Sequence, residues 1–271
     1  MILLENKAIQ ISIKNFKNKI RHWQVLFFSL LLPIMFTFMF YFMFGNQGLP
    51  SGKTAYDFAF PGMVVYATGF GMMGSAIMFA EEKHSGMLSR LDTMPTGRKN
   101  IFLGALISES SFLMLQILIM FIIGYGVLGL YFASPLALFF GFLVILLFGI
   151  SSVGIGIMIA SVSKNVEVAN AFSLIVFMFL IFASGSMFPF DSPIVYFTPP
   201  FWAKQIFLQI TVMDDGLNDI LYSGSIIETD GSLEGAYPTL ISLGGGLFII
   251  FSYTIVFIII GIILFQKKTK F

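Results

Sequence analysis

Six long apolar runs dominate the sequence, at roughly 24–45, 58–80, 102–130, 136–162, 168–188 and 238–265. A bilayer core about 30 Å thick needs about 20 apolar residues per helix, and every run meets that length. A membrane β-barrel needs strands of about 10 residues with alternating polarity. These runs are continuous, so helices satisfy the backbone within each segment. Hydrophobic residues make up 57% of the 271 residues and charged residues 11%. Soluble domains carry about 25% charge, and no water-soluble core of this size hides so much apolar surface. The sequence therefore predicts an all-α integral membrane protein with six transmembrane helices and excludes a soluble enzyme or a nucleic-acid binder. The first run reads as a span and not a cleaved signal, because no small-x-small site with a polar mature domain follows it. Pro33 inside it is expected to kink the helix.

The basic residues are unevenly placed. Lys7, Lys14, Lys17, Lys19 and Arg21 precede the first run, and Lys83, Arg90, Arg98 and Lys99 fill the second connection. Lys164, Lys267, Lys268 and Lys270 fall on the same side, leaving only Lys53 and Lys204 on the other. Cytoplasmic segments carry the Lys and Arg excess, so both termini are expected inside. The opposite segments hold Asp57, Asp191, Asp214, Asp215, Asp219, Glu228, Asp230 and Glu234. Before the first run, Ile2, Ile9, Ile13, Phe16 and Ile20 recur at near-helical spacing, with Lys7, Lys14 and Lys17 mostly elsewhere on the wheel. That pattern predicts an interfacial amphipathic helix in the headgroup plane, as an anchor or as a surface that also touches a cytoplasmic partner.

Catalytic chemistry finds little to stand on. There is no cysteine, hence no disulfide, thiol nucleophile or cysteine metal site. The segment Gly48–Thr54 resembles a phosphate-binding loop, but Gln47 stands where the motif requires glycine. Two histidines, His22 and His84, are too few for a converging zinc site, and no metal is expected. Glu109 is the one acid inside an apolar run, where a carboxylate costs a few kcal/mol. It could pair with a basic residue or serve as an intramembrane ionisable site. Glycines at Gly69, Gly71, Gly74, Gly154, Gly156 and Gly244–Gly246 suit close helix packing or hinges.

Two polar pieces stand out. In the outer segment 189–237, Thr198-Pro199-Pro200 reads as a helix start, followed by the apolar stripe Phe201, Trp202, Ile206 and Phe207. One or two short interfacial or re-entrant helices are expected there, as a cap or a gate. The loop 81–98 places Leu88 and Leu91 three apart among Lys83, Arg90, Arg98 and Lys99, and Pro95 ends any helix near Thr93. A short amphipathic helix between two spans suits docking into a groove of another protein, although an ordinary solvated connection also fits.

This loop resembles the coupling-helix signature of ABC-2 type transporter permeases, E-R-E-x-G-T-L-x-R-L-x-T-x-P-x-x-R. Glu82, Gly86, Leu88, Arg90, Leu91, Thr93, Pro95 and Arg98 match, Lys83 stands in for Arg, His84 replaces an acid and Met87 replaces Thr. The family's S-G-x-x-F-P is similar to Ser184-Gly185-Ser186-Met187-Phe188-Pro189 at the end of the fifth run, with Ser184, Gly185, Phe188 and Pro189 matching. The resemblance implies a multi-pass permease subunit in a plasma membrane of bacterial type. It would pair with a second copy or a homologous permease and with two cytoplasmic ATPase subunits. ATP and magnesium would sit on those subunits, with no cofactor, catalytic site or nucleic-acid partner for this chain. The helix around Gly86–Leu91 would dock into the ATPase. Phe172, Met178, Phe179 and Phe182 on the fifth span would line a substrate path or dimer interface, and the Ser184–Pro189 turn would form an external gate. Re-entrant helices would lie between spans five and six. Export of a hydrophobic or amphipathic cargo (drug, peptide or lipid-like) is the expected function. A non-transporting membrane sensor or immunity protein is the alternative.

Overall fold

The computed structural model describes residues 7–21, 23–45, 48, 52–84, 98–187, 192–213, 215–216, 218–223, 227–229, 232–234 and 237–268. An amphipathic helix α1 (Lys7–Arg21) leads into α2 (Trp23–Phe44), which runs on through Pro33. Three long helices follow: α3 (Ala55–His84), α4 (Arg98–Phe121) and α5 (Pro135–Val162). Then come α6 (Val166–Ala183), the short α7 (Pro199–Leu208) and α8 (Leu243–Lys268). Among the described residues, five helical segments are long and apolar enough to cross a membrane: Ala55–His84, Leu103–Val127, Pro135–Val162, Val166–Ala183 and Leu243–Leu264. In α2 the stretch Leu30–Phe44 forms a shorter apolar helix.

Local chemistry sets the boundaries. Thr54 caps α3, and its backbone N–H and hydroxyl both donate to Asp57 Oδ2, at 2.6 and 2.9 Å. The Asp57 N–H donates back to Thr54 Oγ1 at 3.3 Å, a reciprocal capping box. Asn165 Oδ1 accepts from the Val168 N–H at 2.8 Å and starts α6. Ser134 caps α5 ahead of Pro135, whose missing N–H is harmless at the first helical position.

The buried helix α3 occupies the centre, with α2, α4, α5 and α6 against it, and α5 links it to α8. Small residues bring these helices close. A Cβ on Gly156 would strike Ser75 and Met72 of α3. One on Gly154 would meet the α8 backbone at Phe257 and Ile258, at 3.1 Å. The packing role expected of this glycine pair is what the structure uses. Tyr56 of α3 donates its hydroxyl to the Thr37 carbonyl of α2 at 2.8 Å.

The structure departs from the sequence reading in three places. The third run ends in a π-helical turn, Ile122–Val127, not in regular helix to residue 130. The outer segment holds a 3₁₀ turn (Pro193–Phe197), α7 and a π turn (Gln209–Met213). Beyond them lie two two-stranded antiparallel ribbons instead of a second helix. Strand β1 (Ile220–Ser223) pairs with β4 (Tyr237–Ser242), and β2 (Ile227–Thr229) with β3 (Ser232–Glu234). Strand β4 takes residues assigned from the sequence to the start of the last span, so α8 begins at Leu243 and not at 238. Tyr237-Pro238-Thr239 supplies a proline and β-prone residues just ahead of Gly244–Gly246, a poor helix start.

Candidate functional site

The C-terminal end of α3 is a junction. Its last residues include Glu82 and Lys83, just ahead of residues 85–97. Lys83 Nζ donates to the carbonyls of Ser161 at 2.9 Å, Ser163 at 3.1 Å and Ala160 at 3.5 Å. These are end carbonyls of α5, which lack partners within their own helix. A cation there also meets the negative end of the helix dipole. Glu82 is buried at 7% exposure and accepts from Asn15 Nδ2 of α1 at 3.4 Å. Its Oε2 has no hydrogen-bond partner among the described residues. Two adjacent side chains thus tie the loop's first anchor to two different elements.

Glu109 of α4 lies nearby and is 1% exposed. Lys19 of α1 reaches it, with Nζ 2.5 Å from Oε1. The same ammonium sits 4.6 Å above the centre of the Phe112 ring. Gly74 of α3 leaves the room, since a Cβ there would lie 3.7 Å from Glu109 Oε2 and 3.8 Å from Lys19 Nζ. The carboxylate expected to pair or to carry a proton is in an ion pair, and its partner comes from the amphipathic helix. The residue types around the pair explain why α1 docks here: Ser12, Asn15 and Lys19 recur three and four residues apart on one polar stripe.

The C-terminal end of α6 is built differently. Ser184 caps the helix, and Gly185 adopts φ +64°, the left-handed conformation that suits glycine just past a helix end. Ser184 Oγ donates to Ile181 O at 2.8 Å and lies 2.6 Å from Ser186 Oγ. The Ser186 carbonyl abuts Gly62 of α3, where a Cβ would clash. Lys204 of α7 donates to the Gly185 carbonyl at 2.8 Å. Burial pushes the Lys204 ammonium down to about 8. Phe188 and Pro189 lie outside the described residues.

The sequence model of the family described as ABC-2 type transporter matches residues 7–210, from the start of α1 through α7. The chain belongs to the ABC-2 type transporter family. No curated protein matches it in sequence. Membership makes it a multi-pass permease domain of an ABC transporter, a transport element and not a catalytic one.

Within this ABC-2 domain the expected site residues fall into separate groups. Gly86, Leu88, Arg90, Leu91 and Pro95 of the coupling signature lie outside the described residues, while Glu82 and Lys83 form its described root. Arg98, the last signature position, is the first residue of α4. On α6, Phe172, Phe179 and Phe182 are exposed, but Met178 is half-buried and packs on the central core. The four therefore do not form one uniform exposed face. Phe177, unnoticed in the sequence, is the residue packed on Gly69 of α3. The Gly48–Thr54 segment closes as a bridge between Gly48 and Thr54, and Lys53 lies over the rings of Phe58 and Tyr131. Thr198 does stand before α7, yet its hydroxyl donates backwards to Val195 O at 2.7 Å and does not cap the helix.

Sequence reasoning missed the Lys83 cap, the Asn15–Glu82 link, the choice of Lys19 for Glu109 and the Lys204–Gly185 bond. Only the polar stripe of α1 was available to signal any of them.

Proposed function

We propose that this permease is the membrane half of an ATP-driven exporter for a hydrophobic or amphipathic cargo, driven through the loop 85–97. The observation that carries the reading is the double anchoring of Glu82 and Lys83 at the loop's root. A push on that loop reaches α5 through Lys83 and α1 through Glu82, and α1 passes it to α4 through Lys19 and Glu109. The chain crosses the plasma membrane six times, α2 included, with both termini in the cytoplasm of a bacterial cell. Two ATPase subunits dock at Gly86, Leu88, Arg90, Leu91 and Pro95, and ATP with magnesium on those subunits supplies the free energy.

A second copy, or a homologous permease, packs against α2 and α6. Both helices lean on α3 and leave Met35, Met39, Phe172 and Phe179 exposed. Cargo passes between the two copies and leaves through the side closed by the Ser184–Pro189 turn and α7. The lining is apolar, unlike that of a wet ion pore. Each state of such a transporter is favoured only by the difference in its affinity for ligand and partner.

Co-expression with candidate ABC ATPase subunits from the same genome is the test. The complex should copurify, and inverted vesicles should accumulate hydrophobic dyes or peptides only with ATP. A chain that purifies alone and leaves such vesicles inactive would instead act as a sensor or immunity protein.

A further inference from the structure

The outer surface of α1 is unexplained by its docking. The helix meets α3 and α4 through polar residues: Ser12 is buried, Asn15 reaches Glu82 and Lys19 reaches Glu109. Ile13 and Ile20, seven residues apart, are turned outward at 39% and 44% exposure. Beside them runs a second exposed stripe, Lys14, Lys17 and Arg21, spaced three and four apart. A helix docked on a protein in water would do the reverse and bury the isoleucines. Polar side inward, apolar edge outward and cations along the next edge fit a medium that offers hydrocarbon and negative charge together.

We infer that α1 is a docking surface for anionic phospholipid. Ile13 and Ile20 enter the acyl region, while Lys14, Lys17 and Arg21 lie at the phosphates. Among the described basic side chains of α1, Lys19 is the one in an ion pair with a buried acid; Lys17 and Arg21 stand exposed, and Lys14 is exposed while also acting through space on Glu82. A free anion would satisfy the cations but leave the isoleucines in water, so the occupant is a lipid surface. Because the opposite side of the helix holds Glu82 and Glu109, lipid charge acts on the same helix that grips the loop's root. The lipid contact itself does not depend on whether the chain transports anything.

The chain has no cysteine, which makes a site-specific probe clean. The full-length I13C variant, or I20C should the first fold poorly, is labelled with bimane and placed in nanodiscs. Dibrominated phosphatidylglycerol and dibrominated phosphatidylcholine are compared as quenchers at equal mole fraction. Phosphatidylglycerol should quench about threefold more strongly at low salt. That preference should vanish in K14Q/K17Q/R21Q and shrink at about 0.5 M salt. A label at Ile255, exposed on α8, should be quenched equally by both lipids. Equal quenching at Ile13, or a preference that survives the triple substitution, overturns the assignment. Quenching by neither lipid also overturns it, and marks the surface as covered by a protein partner or facing water.

Discussion

The two ends of the central helix α3 are fastened by opposite means. At the N-terminal end the fastening is mainly backbone and short side chains: Gly62 against the Ser186 carbonyl, Gly185 in its left-handed turn and the Thr54–Asp57 capping box, with Lys204 of α7 on the Gly185 carbonyl beside them. The Tyr131 N–H adds a bond to Asp57 Oδ1 at 2.8 Å. At the C-terminal end it is long side chains reaching between helices, Lys83 to α5, Asn15 to Glu82 and Lys19 to Glu109. Backbone contacts at van der Waals distance have no slack. A lysine has several rotatable bonds and holds its partner through a range of positions. The N-terminal end is thus made as a fulcrum and the C-terminal end as a linkage.

Filling the fulcrum should do the most damage. Gly62→Val puts a side chain into the Ser186 carbonyl, and overpacking of this kind costs about 3 kcal/mol. Thermal unfolding in detergent should show most of the chain lost or aggregated, whereas Gly126→Val, with only Ile122 near its Cβ position, should be tolerated. The linkage should be weaker and directional. Lys19→Met leaves a carboxylate of 1% exposure without its cation, a loss of about 3 kcal/mol, while Glu109→Gln costs less because Lys19 is 17% exposed and can reach water. The double variant should recover most of the loss in a double-mutant cycle. Similar losses at Gly62 and Gly126, or additive losses at 19 and 109, would erase the distinction between the ends.

Lys83→Met should cost only about 1 kcal/mol in stability by uncapping α5. Its larger effect should be on coupling, with basal ATPase of the complex kept and cargo stimulation lost, and Lys83→Arg should keep both. Lys204 gives an effect that shows only against pH. Its folded pKa of about 8 lies below the ordinary 10.5, so between these values the unfolded chain binds more protons. Stability should therefore rise as pH climbs from about 8 toward 10.5 and stay flat in this respect below 8. Lys204→Met should remove the rise.

Much of this plan was legible because apolar length is hard to mistake, and each predicted run contains a helix. The ties at the C-terminal end of α3 were less legible, because Lys83 and Ala160–Ser163 are far apart in sequence and nothing local marks a cation as a cap for a distant helix. Glu109 announced itself by its apolar surroundings, but its partner could be found only by placing α1. Ser12, Asn15 and Lys19 formed a readable stripe that the isoleucines on the adjoining edge overshadowed. The ribbon was also readable: Thr229 pairs with Ser232, and Asp230-Gly231 between them is a strong hairpin signal. Its strands are three residues long and lack an apolar face to bury, so no periodic pattern marks them. The coupling positions 86–95 rest on the motif, and their geometry lies outside the described residues.

The linkage stands or falls on what the loop does. The direct measurement is cargo-stimulated ATP hydrolysis by the assembled complex in nanodiscs, wild type against Leu88→Asp/Leu91→Asp. The expected result is an inserted, correctly sized permease whose ATPase no longer responds to cargo. A double variant that keeps full stimulation and exports at the wild-type rate would contradict the account.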